Sequence, residues 1–369
     1  MPVVDKYFKD FSEDIKKVGY DPQIRLHFFH RGKSGIFAGA RLLEKLSNQI
    51  PKSVLVYYLE DGVPFQSGQT IVILEGPASE VSLWETTVDG ILTYCGVATG
   101  MRDCVAAAGG KPVLDMAARH YPPELAASLS YAAYIGGAAG SSVDNAIKDG
   151  IVPSTWKEIG SLPHAAAALW STFQLSDSDI VTQSHLCYLY DFCYHKGFRF
   201  NDLYPSIKAA VVHHTNHPED NIVVLVDYEG KEQRVIGQAV SLFREKLYAI
   251  RLDTTGNRIP TMTDVTEHGV SVDLVKRTRQ WLHGRGAPNA KIIATSGFNA
   301  EKIAAFEKAG APVDIYGTGS HVAFWPTKAS LGEVKVGDKW VRASKAALTH
   351  FVHPGIGSHF TEPSPYPIL

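Results

Sequence analysis

The second part of this chain repeats one local pattern: a short apolar run, a polar or glycine-containing loop, and then a helix-like segment. The runs are residues 112–116, 222–227, 249–253, 291–295 and 313–316. Apolar runs of this length, bounded by turn residues, are typical of buried strands. Strands that alternate with helices predict an α/β fold with a parallel sheet, either a β/α barrel or a doubly wound sheet.

The first part of the chain has a mixed pattern. Its predicted elements are helix 8–18, strand 24–29, helix 38–49, strand 53–59, strand 69–74 and a helical stretch from 80 to about 108. The last of these strands is predicted to break at Glu75-Gly76-Pro77, because glycine and proline interrupt regular structure. Beyond Trp325 the alternation stops. Residues 331–341 are then predicted to form a hairpin that turns at Gly337-Asp338, and residues 362–369 an extended tail.

Composition narrows the classes of function. The formal net charge is −2 over 369 residues, so there is no general attraction for nucleic acid or for an anionic membrane. An anionic ligand therefore needs a local cluster of donors. We find no N-terminal signal pattern and no apolar run of about 20 residues, which predicts a cytoplasmic protein without membrane contact. The four cysteines are then expected to be thiols.

Two groups of residues invite interpretation as a metal site. They are Cys187 with Cys193, and the histidines His213, His214 and His217. Neither group has a further ligand at a convincing spacing, and a solvated loop is the better interpretation of the histidines. The sequence therefore predicts no dedicated metal site.

Polar loops follow several of the candidate strands. These loops are Arg119-His120, residues 161–164, residues 251–254, residues 295–297 and residues 317–320. In a β/α barrel they would all lie on the face at the carboxyl ends of the strands, where active sites form. The sequence therefore predicts a functional face built from these loops.

Each loop has a chemical interpretation and a plain structural alternative. The glycines and hydroxyls of residues 317–320 suit an anion, or simply a tight turn. Asp253 suits the vicinal hydroxyls of a ribose, or a salt bridge to Arg251. His164 is a potential phosphoryl acceptor among 15 histidines, most of which are expected to be structural. Arg119 suits a phosphate or carboxylate, or is a surface arginine.

Taken in order, the segments of this chain resemble motifs of the nicotinate phosphoribosyltransferases, in particular the shorter, archaeal-like branch. The resemblance covers about residues 1–345 and depends on the ordered set rather than on any single motif. The matching segments are residues 5–8, 61–63, 74–77, 84–86, 96–99, 118–120 with Pro122, 133–137 (Ala-Tyr-Ile-Gly-Gly), 161–165 (Ser-Leu-Pro-His-Ala), 250–254 (Ile-Arg-Leu-Asp-Thr), 296–297 and 317–320 (Gly-Thr-Gly-Ser).

The resemblance implies an irregular β/α barrel of the type II phosphoribosyltransferase kind plus an N-terminal α/β sandwich. The implied domains are residues 1–112 for the sandwich, 113–327 for the catalytic barrel, and 328–369 for a segment that returns to the sandwich. It also implies a homodimer or a larger homo-oligomer whose active sites borrow residues from a neighbouring subunit.

The resemblance also implies a reaction in NAD biosynthesis. Nicotinate and phosphoribosyl pyrophosphate would give nicotinate mononucleotide and pyrophosphate, with Mg²⁺ bound to phosphoribosyl pyrophosphate. ATP would be a co-substrate through a phosphorylated His164. The implied catalytic residues are His164, Asp253 and Arg119. The implied substrate-binding residues are Tyr7, Ser161, Arg251, Thr254, Ser296, Gly297, Gly317, Thr318, Gly319 and Ser320.

Several positions depart from the family pattern. Ser161 stands where threonine is usual, His120 where a second arginine is common, and Asp115-Met116-Ala117 where a Phe-Gly pattern is expected. The loss of a permanent charge at His120 leaves open a related transferase for nicotinamide or quinolinate. A non-catalytic sugar-phosphate-binding relative that keeps the barrel is the third alternative.

Overall fold

The computed structural model describes residues 2–176, 184–260 and 265–343. Its α-helices are α1 (Lys6–Val18), α2 (Ala40–Ser47), α3 (Ala78–Val81), α4 (Glu85–Leu92), α5 (Tyr94–Ala107), α6 (Ala126–Ile135), α7 (Asn145–Lys148), α8 (His164–Thr172), α9 (Ser184–Tyr194), α10 (Pro205–Asn216), α11 (Glu232–Phe243), α12 (Val272–Gly284) and α13 (Ala300–Lys308). Its strands are β1 (Gln23–Phe29), β2 (Gly35–Ile36), β3 (Leu55–Tyr58), β4 (Pro64–Phe65), β5 (Thr70–Pro77), β6 (Val113–Asp115), β7 (Gly140–Ser141), β8 (Ile222–Leu225), β9 (Leu247–Leu252), β10 (Lys291–Ala294), β11 (Ile315–Thr318), β12 (Lys328–Val336) and β13 (Lys339–Arg342).

Local sequence explains where several helices begin and end. Helix α1 ends at Gly19, whose φ of 73° places it in the left-handed conformation that closes a helix without steric cost. Helix α12 begins after Ser271, whose hydroxyl accepts a hydrogen bond from the Leu274 amide. The predicted helical stretch from 80 to 108 is divided into α3, a short 3₁₀ turn, α4 and α5.

The first sheet is antiparallel, with the order β13-β12-β1-β5-β3. Strand β1 lies between β5 and β12, and six of its seven residues are buried. A core of aliphatic and aromatic residues packs on this sheet, including Phe28, Leu43 and Ile73. The strands predicted in the first part of the chain are therefore confirmed as members of one sheet, in which β1 and most of β5 are buried and the edge strand β3 is not.

The predicted break of β5 at Glu75-Gly76-Pro77 is wrong, because the strand continues through Pro77. Glu75 pairs with Arg25 on one side and with Leu55 on the other. A Cβ at Gly76 would come 2.8 Å from the Ser53 carbonyl oxygen. The glycine therefore permits a close approach of neighbouring backbone rather than a turn.

The second sheet is parallel, with the order β7-β6-β11-β10-β9-β8, and it is curled into a half-barrel. Helices α5, α10, α11, α12 and α13 supply residues to the large core outside it. A smaller apolar cluster, with Leu114, Ala249, Ile293 and Ile315, lies on the other face of the same strands. The predicted α/β class with a parallel sheet is confirmed.

The boundary between strand and loop near residue 317 differs from the prediction. The apolar run 313–316 was expected to be the strand, but β11 covers Ile315–Thr318. Gly317 and Thr318 pair with Leu114 and Asp115 of β6. Two residues of the glycine-rich segment therefore belong to the sheet, and only Gly319 and Ser320 follow the strand.

The C-terminal hairpin is confirmed, with β12 and β13 joined at Gly337-Asp338. Strand β12 pairs with β1, so the chain returns from the half-barrel to the first sheet. The exact domain boundaries stay a prediction. The predicted extended tail 362–369 lies outside the described residues.

A buried arginine joins the returning hairpin to the first sheet. Arg25 pairs with Glu75 at 2.7 Å and with Glu333 at 3.0 Å, and its guanidinium lies 4.0 Å from the centre of the Trp340 ring. The Arg25 side chain is only 9% exposed. Removal of the cation leaves two carboxylates together in a poorly solvated place.

We therefore expect Arg25→Ala to lower the free energy of unfolding by about 3 kcal/mol in chemical denaturation. Arg41→Ala is the matched control, because Arg41 pairs with Glu44 on an exposed helix surface and should change unfolding little. Equal effects of the two substitutions would contradict a special role for the buried arginine.

Candidate functional site

The parallel strands bring distant polar residues to one edge of the half-barrel. In register, Leu252 of β9 lies beside Ala294 of β10, and Thr318 of β11 lies beside Asp115 of β6. The loops that follow these strands therefore emerge together at the carboxyl edge of the sheet. As predicted, the structure brings three loops to this edge, which are residues 251–254, 295–297 and 317–320.

Arg251 is the centre of a hydrogen-bond network at this edge. Its Nε donates to Thr295 Oγ1 at 3.1 Å, its Nη1 to Ser161 Oγ at 2.6 Å, and its Nη2 to Asp253 Oδ2 at 2.9 Å. The Arg251 side chain is 13% exposed. A guanidinium has five N–H donors, so both terminal nitrogens keep a hydrogen for a ligand while the protein holds the plane in place.

Asp253 is held from two sides. Its Oδ1 accepts a hydrogen bond from Thr295 Oγ1 at 2.6 Å, while Oδ2 faces Arg251. The salt bridge offered as the plain alternative therefore exists. It does not exclude a binding role, because each carboxylate oxygen can accept a further hydrogen bond.

His164 and Asp227 form a second pair at the same edge. His164 is the first residue of α8, and its Nε2 lies 2.9 Å from Asp227 Oδ2. The His164 side chain is 43% exposed, whereas that of Asp227 is 5% exposed. A buried carboxylate that accepts a hydrogen bond from Nε2–H selects the tautomer that leaves the lone pair on Nδ1.

Asp227 was not predicted as a site residue. It was included only as the last residue of the apolar run 222–227. Its contact with His164 joins residues 63 positions apart in the chain. The sequence signal for a functional role of Asp227 is its position directly after a buried strand, but this signal does not identify His164 as its partner.

A buried glutamate, Glu232, lies close to Asp227 of this pair. Glu232 is fully buried, and its Oε1 accepts from Thr254 Oγ1 at 3.3 Å. Burial and the neighbouring charge of Asp227 raise the pKa of Glu232. Thr254 is itself fully buried with its hydroxyl directed at Glu232. A substrate contact through the Thr254 side chain stays a prediction.

The glycine-rich segment is tied to its neighbours. Thr318 Oγ1 donates to the Phe298 carbonyl at 2.5 Å and accepts from the Ser320 amide at 3.1 Å. A Cβ at Gly319 would come 2.7 Å from the His120 ring. His120 therefore rests directly on the backbone of this segment, while its neighbour Arg119 is exposed.

The other glycine-containing loop follows β10. Ser296 and Gly297 have φ values of 80° and 66°, and the left-handed conformation is uncommon for serine. The Lys302 ammonium donates to the Ser296 carbonyl at 3.1 Å. Burial lowers the pKa of Lys302. A turn that contains left-handed residues is a kind of backbone that can bind an anion through its amides.

Tyr7 lies apart from these loops on α1. Its hydroxyl donates to Asp5 at 3.3 Å, and Asp5 also accepts from Thr86 at the start of α4. The Tyr7 residue is 62% exposed. Burial raises the pKa of the nearby Glu85 to about 7. The structure thus does not place Tyr7 against the loops of its own half-barrel.

Residues 2–176, 184–260 and 265–343 contain neither a cluster of metal ligands nor a membrane-spanning helix. No group of three or more His, Cys, Asp or Glu side chains there is arranged to hold a metal ion. His213 pairs with Asp220 at 3.4 Å, and the four cysteines are thiols. Among the described helices, none combines the length and the apolar character that a membrane span requires.

Sequence comparison finds similarity to two kinds of phosphoribosyltransferase. The family model for the N-terminal domain of quinolinate phosphoribosyltransferases matches residues 6–95. A nicotinate phosphoribosyltransferase of Mycobacterium tuberculosis is 26% identical over 270 residues, which are 72% of this chain and 48% of that protein. The chain therefore spans about half the length of this curated relative.

Structural comparison identifies the fold. The nicotinate-nucleotide pyrophosphorylase of Pyrococcus furiosus has a TM-score of 0.68 at 22% identity, covering 90% of this chain and 75% of that one. The human nicotinic acid phosphoribosyltransferase has a TM-score of 0.67 at 17% identity, with the same coverage. The chain is similar in sequence and in fold to this group of proteins, as its ordered motifs predicted.

Proposed function

We propose that this chain, which shares fold and motif order with the nicotinate phosphoribosyltransferases, joins nicotinate to phosphoribosyl pyrophosphate and releases pyrophosphate. The observation that supports the proposal is that two sets of hydrogen-bonded side chains lie at the same carboxyl edge of the half-barrel. Arg251 is locked among Ser161, Asp253 and Thr295, and His164 is paired with Asp227. A cation, a ribose-binding carboxylate and a potential phosphoryl acceptor are the groups that such a transfer needs.

The sugar phosphate is proposed to bind across the edge. The Gly319 backbone and the Ser320 hydroxyl, with Ser296 and Gly297 opposite, would hold the 5′-phosphate. Asp253 would accept hydrogen bonds from the ribose hydroxyls. Transfer at C1 passes through an oxocarbenium-like state in which the bond to pyrophosphate breaks as the nicotinate nitrogen attacks. The protein's contribution is mainly to position both reactants and to balance the developing charge.

The base and the pyrophosphate need cations. Arg251 keeps one free hydrogen on each terminal nitrogen beside Ser161, which suits a carboxylate such as that of nicotinate. The exposed Arg119 would meet the pyrophosphate. Tyr7 is exposed and does not contact the loops of its own half-barrel. It would therefore stack on the pyridine ring of the nicotinate that is bound to a second copy of the chain. A homodimer or larger assembly in the cytoplasm belongs to this proposal.

ATP coupling is proposed through His164. The γ-phosphoryl group of ATP would pass to the Nδ1 lone pair, giving ADP and a phosphorylated ring, while Asp227 balances the charge on the Nε2 side. Hydrolysis of this phosphohistidine would accompany turnover. Mg²⁺ is proposed to arrive with the phosphates, because Mg²⁺ in such sites is held largely by substrate oxygens and water.

The test is product formation by the purified chain with nicotinate, phosphoribosyl pyrophosphate and Mg²⁺, with and without ATP. We expect nicotinate mononucleotide by chromatography, and a higher yield when ATP is present. There are two controls. One is the same mixture without enzyme, and the other is the same mixture with the Asp253→Asn enzyme. Absence of the mononucleotide under both conditions would overturn the proposal.

A related transferase for another base is the second candidate. The match of residues 6–95 to the quinolinate transferase domain favours it, as does the imidazole of His120 where a second guanidinium is common. Competition among nicotinate, nicotinamide and quinolinate decides between the two by the ratio of kcat/KM values. A non-catalytic sugar-phosphate binder, the third alternative, would bind phosphoribosyl pyrophosphate without turning over any of these bases.

A further inference from the structure

A buried histidine lies immediately behind the glycine-rich segment. His321 follows Ser320, and its side chain is fully buried. Among the described residues, neither ring nitrogen has a hydrogen-bond partner, although Nε2 lies 3.8 Å from Asp115 Oδ1. The His321 backbone is packed tightly against α5, since a Cβ at Gly100 would come 2.1 Å from the His321 carbonyl oxygen. The backbone of His321 is therefore fixed by its packing against α5.

Asp115 is the acid that faces this histidine. It is fully buried at the end of β6, beside Thr318 in the sheet register. Its Oδ1 accepts from the Ala117 amide at 3.0 Å, and its Oδ2 accepts from Ser141 Oγ at 2.9 Å. A buried carboxylate thus stands directly behind the strand end that presents Gly319 and Ser320.

The groups around His321 set its charge in the absence of a ligand. Burial lowers the pKa of His321, while Asp115 and the Thr318 carbonyl act in the opposite direction. On α5, the charged residues nearest Gly100 are Arg102 and Asp103, which lie 3.7 Å from each other. His120 packs on Gly319 from the β6 side. A neutral imidazole supplies no positive charge beside the Asp115 carboxyl, which lies behind the proposed phosphate position.

We propose that Asp115 and His321 form the charge-balancing pair of an anion site at Gly319 and Ser320: the imidazole takes up one proton from solvent when a dianionic phosphoryl group binds. This inference rests on the proposed function, which places the sugar phosphate at this segment. A dianion in front of an uncompensated carboxylate is unfavourable in a poorly solvated place, and a protonated imidazole between them removes the repulsion. The protonated ring would also gain Asp115 Oδ1 and the Thr318 carbonyl as acceptors.

The sign of the pH dependence follows from linkage. The bound anion makes His321 hold its proton more tightly, so the pKa of His321 is higher in the complex than in the free protein. Affinity for the dianion is then greatest at low pH and falls as pH rises from the free to the bound pKa. A rise of about one pKa unit corresponds to a tenfold change in affinity.

Sulfate is the probe, because it stays a dianion throughout this pH range and exchanges no proton of its own. The full chain is labelled at the histidine ring carbons and titrated by NMR with and without saturating sulfate, and the His321 signal is identified by its loss in His321→Asn. We expect the pKa of His321 to rise by about one unit. The dissociation constant for sulfate should increase about tenfold as pH rises from the free to the bound pKa of His321, a window that begins below the ordinary histidine value of about 6.5 because burial lowers this pKa.

Three variants locate the effect. In His321→Asn the dissociation constant for sulfate should not vary with pH in this way. His120→Asn is the matched control, since it removes the other imidazole near Gly319 and should retain the pH dependence. Gly319→Ala should weaken sulfate binding at every pH, because its Cβ would collide with the His120 ring. If His321→Asn does not fold, His321→Gln replaces it, both to identify the His321 signal in the NMR titration and to measure sulfate binding.

The outcomes separate this inference from the proposed function. If sulfate binds at this segment but the His321 signal keeps its pKa, the charge-balancing pair is rejected and the anion site stands. If His120→Asn, rather than His321→Asn, abolishes the pH dependence, the pair is also rejected. If no sulfate binds, the inference fails, and the transferase assay shows independently whether the proposed function fails with it.

Discussion

Replacing His164 with asparagine is expected to abolish the stimulation of product formation by ATP and to lower the ATP-coupled rate about 1,000-fold. Asparagine can still donate a hydrogen bond to Asp227, so the local fold should survive. It has no ring nitrogen with a basic lone pair, however, and cannot accept a phosphoryl group. The measurement is nucleotide formation and ADP release in parallel, together with detection of acid-labile phosphate on the protein.

His213→Asn is the matched control for this substitution. His213 also pairs with an aspartate, at 3.4 Å from Asp220, and its side chain is 37% exposed, close to that of His164. It lies at the end of α10 rather than at the carboxyl edge of the half-barrel. We expect this variant to behave like the unsubstituted protein. If His164→Asn keeps full stimulation by ATP, the phosphohistidine proposal is wrong even if the transferase activity is real.

Replacing Arg251 with lysine is expected to lower kcat/KM about 100-fold, although the positive charge is kept. Lysine cannot donate to Ser161, Asp253 and Thr295 in one plane while it offers two further hydrogens to a carboxylate. The loss should be visible as a higher KM for nicotinate and as a lower kcat, because the position of Asp253 also depends on Arg251. Steady-state kinetics with each substrate varied in turn provide the measurement.

A structural role for Arg251 has to be separated from a role in binding. Arg279→Lys is the control, because Arg279 is also partly buried and pairs with Asp314, and it donates to the Ala290 carbonyl before β10 rather than after it. Both substitutions should reduce stability, by about 1 to 3 kcal/mol where a buried acceptor loses its partner. Only Arg251→Lys should change the KM for nicotinate. Equal kinetic losses in both variants would reduce Arg251 to a structural residue.

The errors in the predicted elements have a common physical origin. Gly76 was interpreted as an interruption of a strand and Gly317 as part of the loop after one, yet both lie inside strands where a neighbour comes too close for a side chain. The sequence shows that such a position has no Cβ, but it does not show which neighbouring atoms occupy the place that a Cβ would take. The same holds for Asp115, which was noted only as a departure from a family pattern. Its buried contacts with Ser141 and His321 appear only once the strands are paired.

The amino-acid sequence by itself determined the alternation of buried strands and helices, and therefore the edge at which the polar loops meet. That information is local, because a short apolar run followed by a glycine or polar loop reflects burial along a single strand. Only the tertiary structure decided which side chains touch. Arg251 meets Ser161 across 90 positions of the chain, and His164 meets Asp227 across 63. These pairings depend on strand order and curl, which bring together residues whose spacing in the sequence carries no record of the contact.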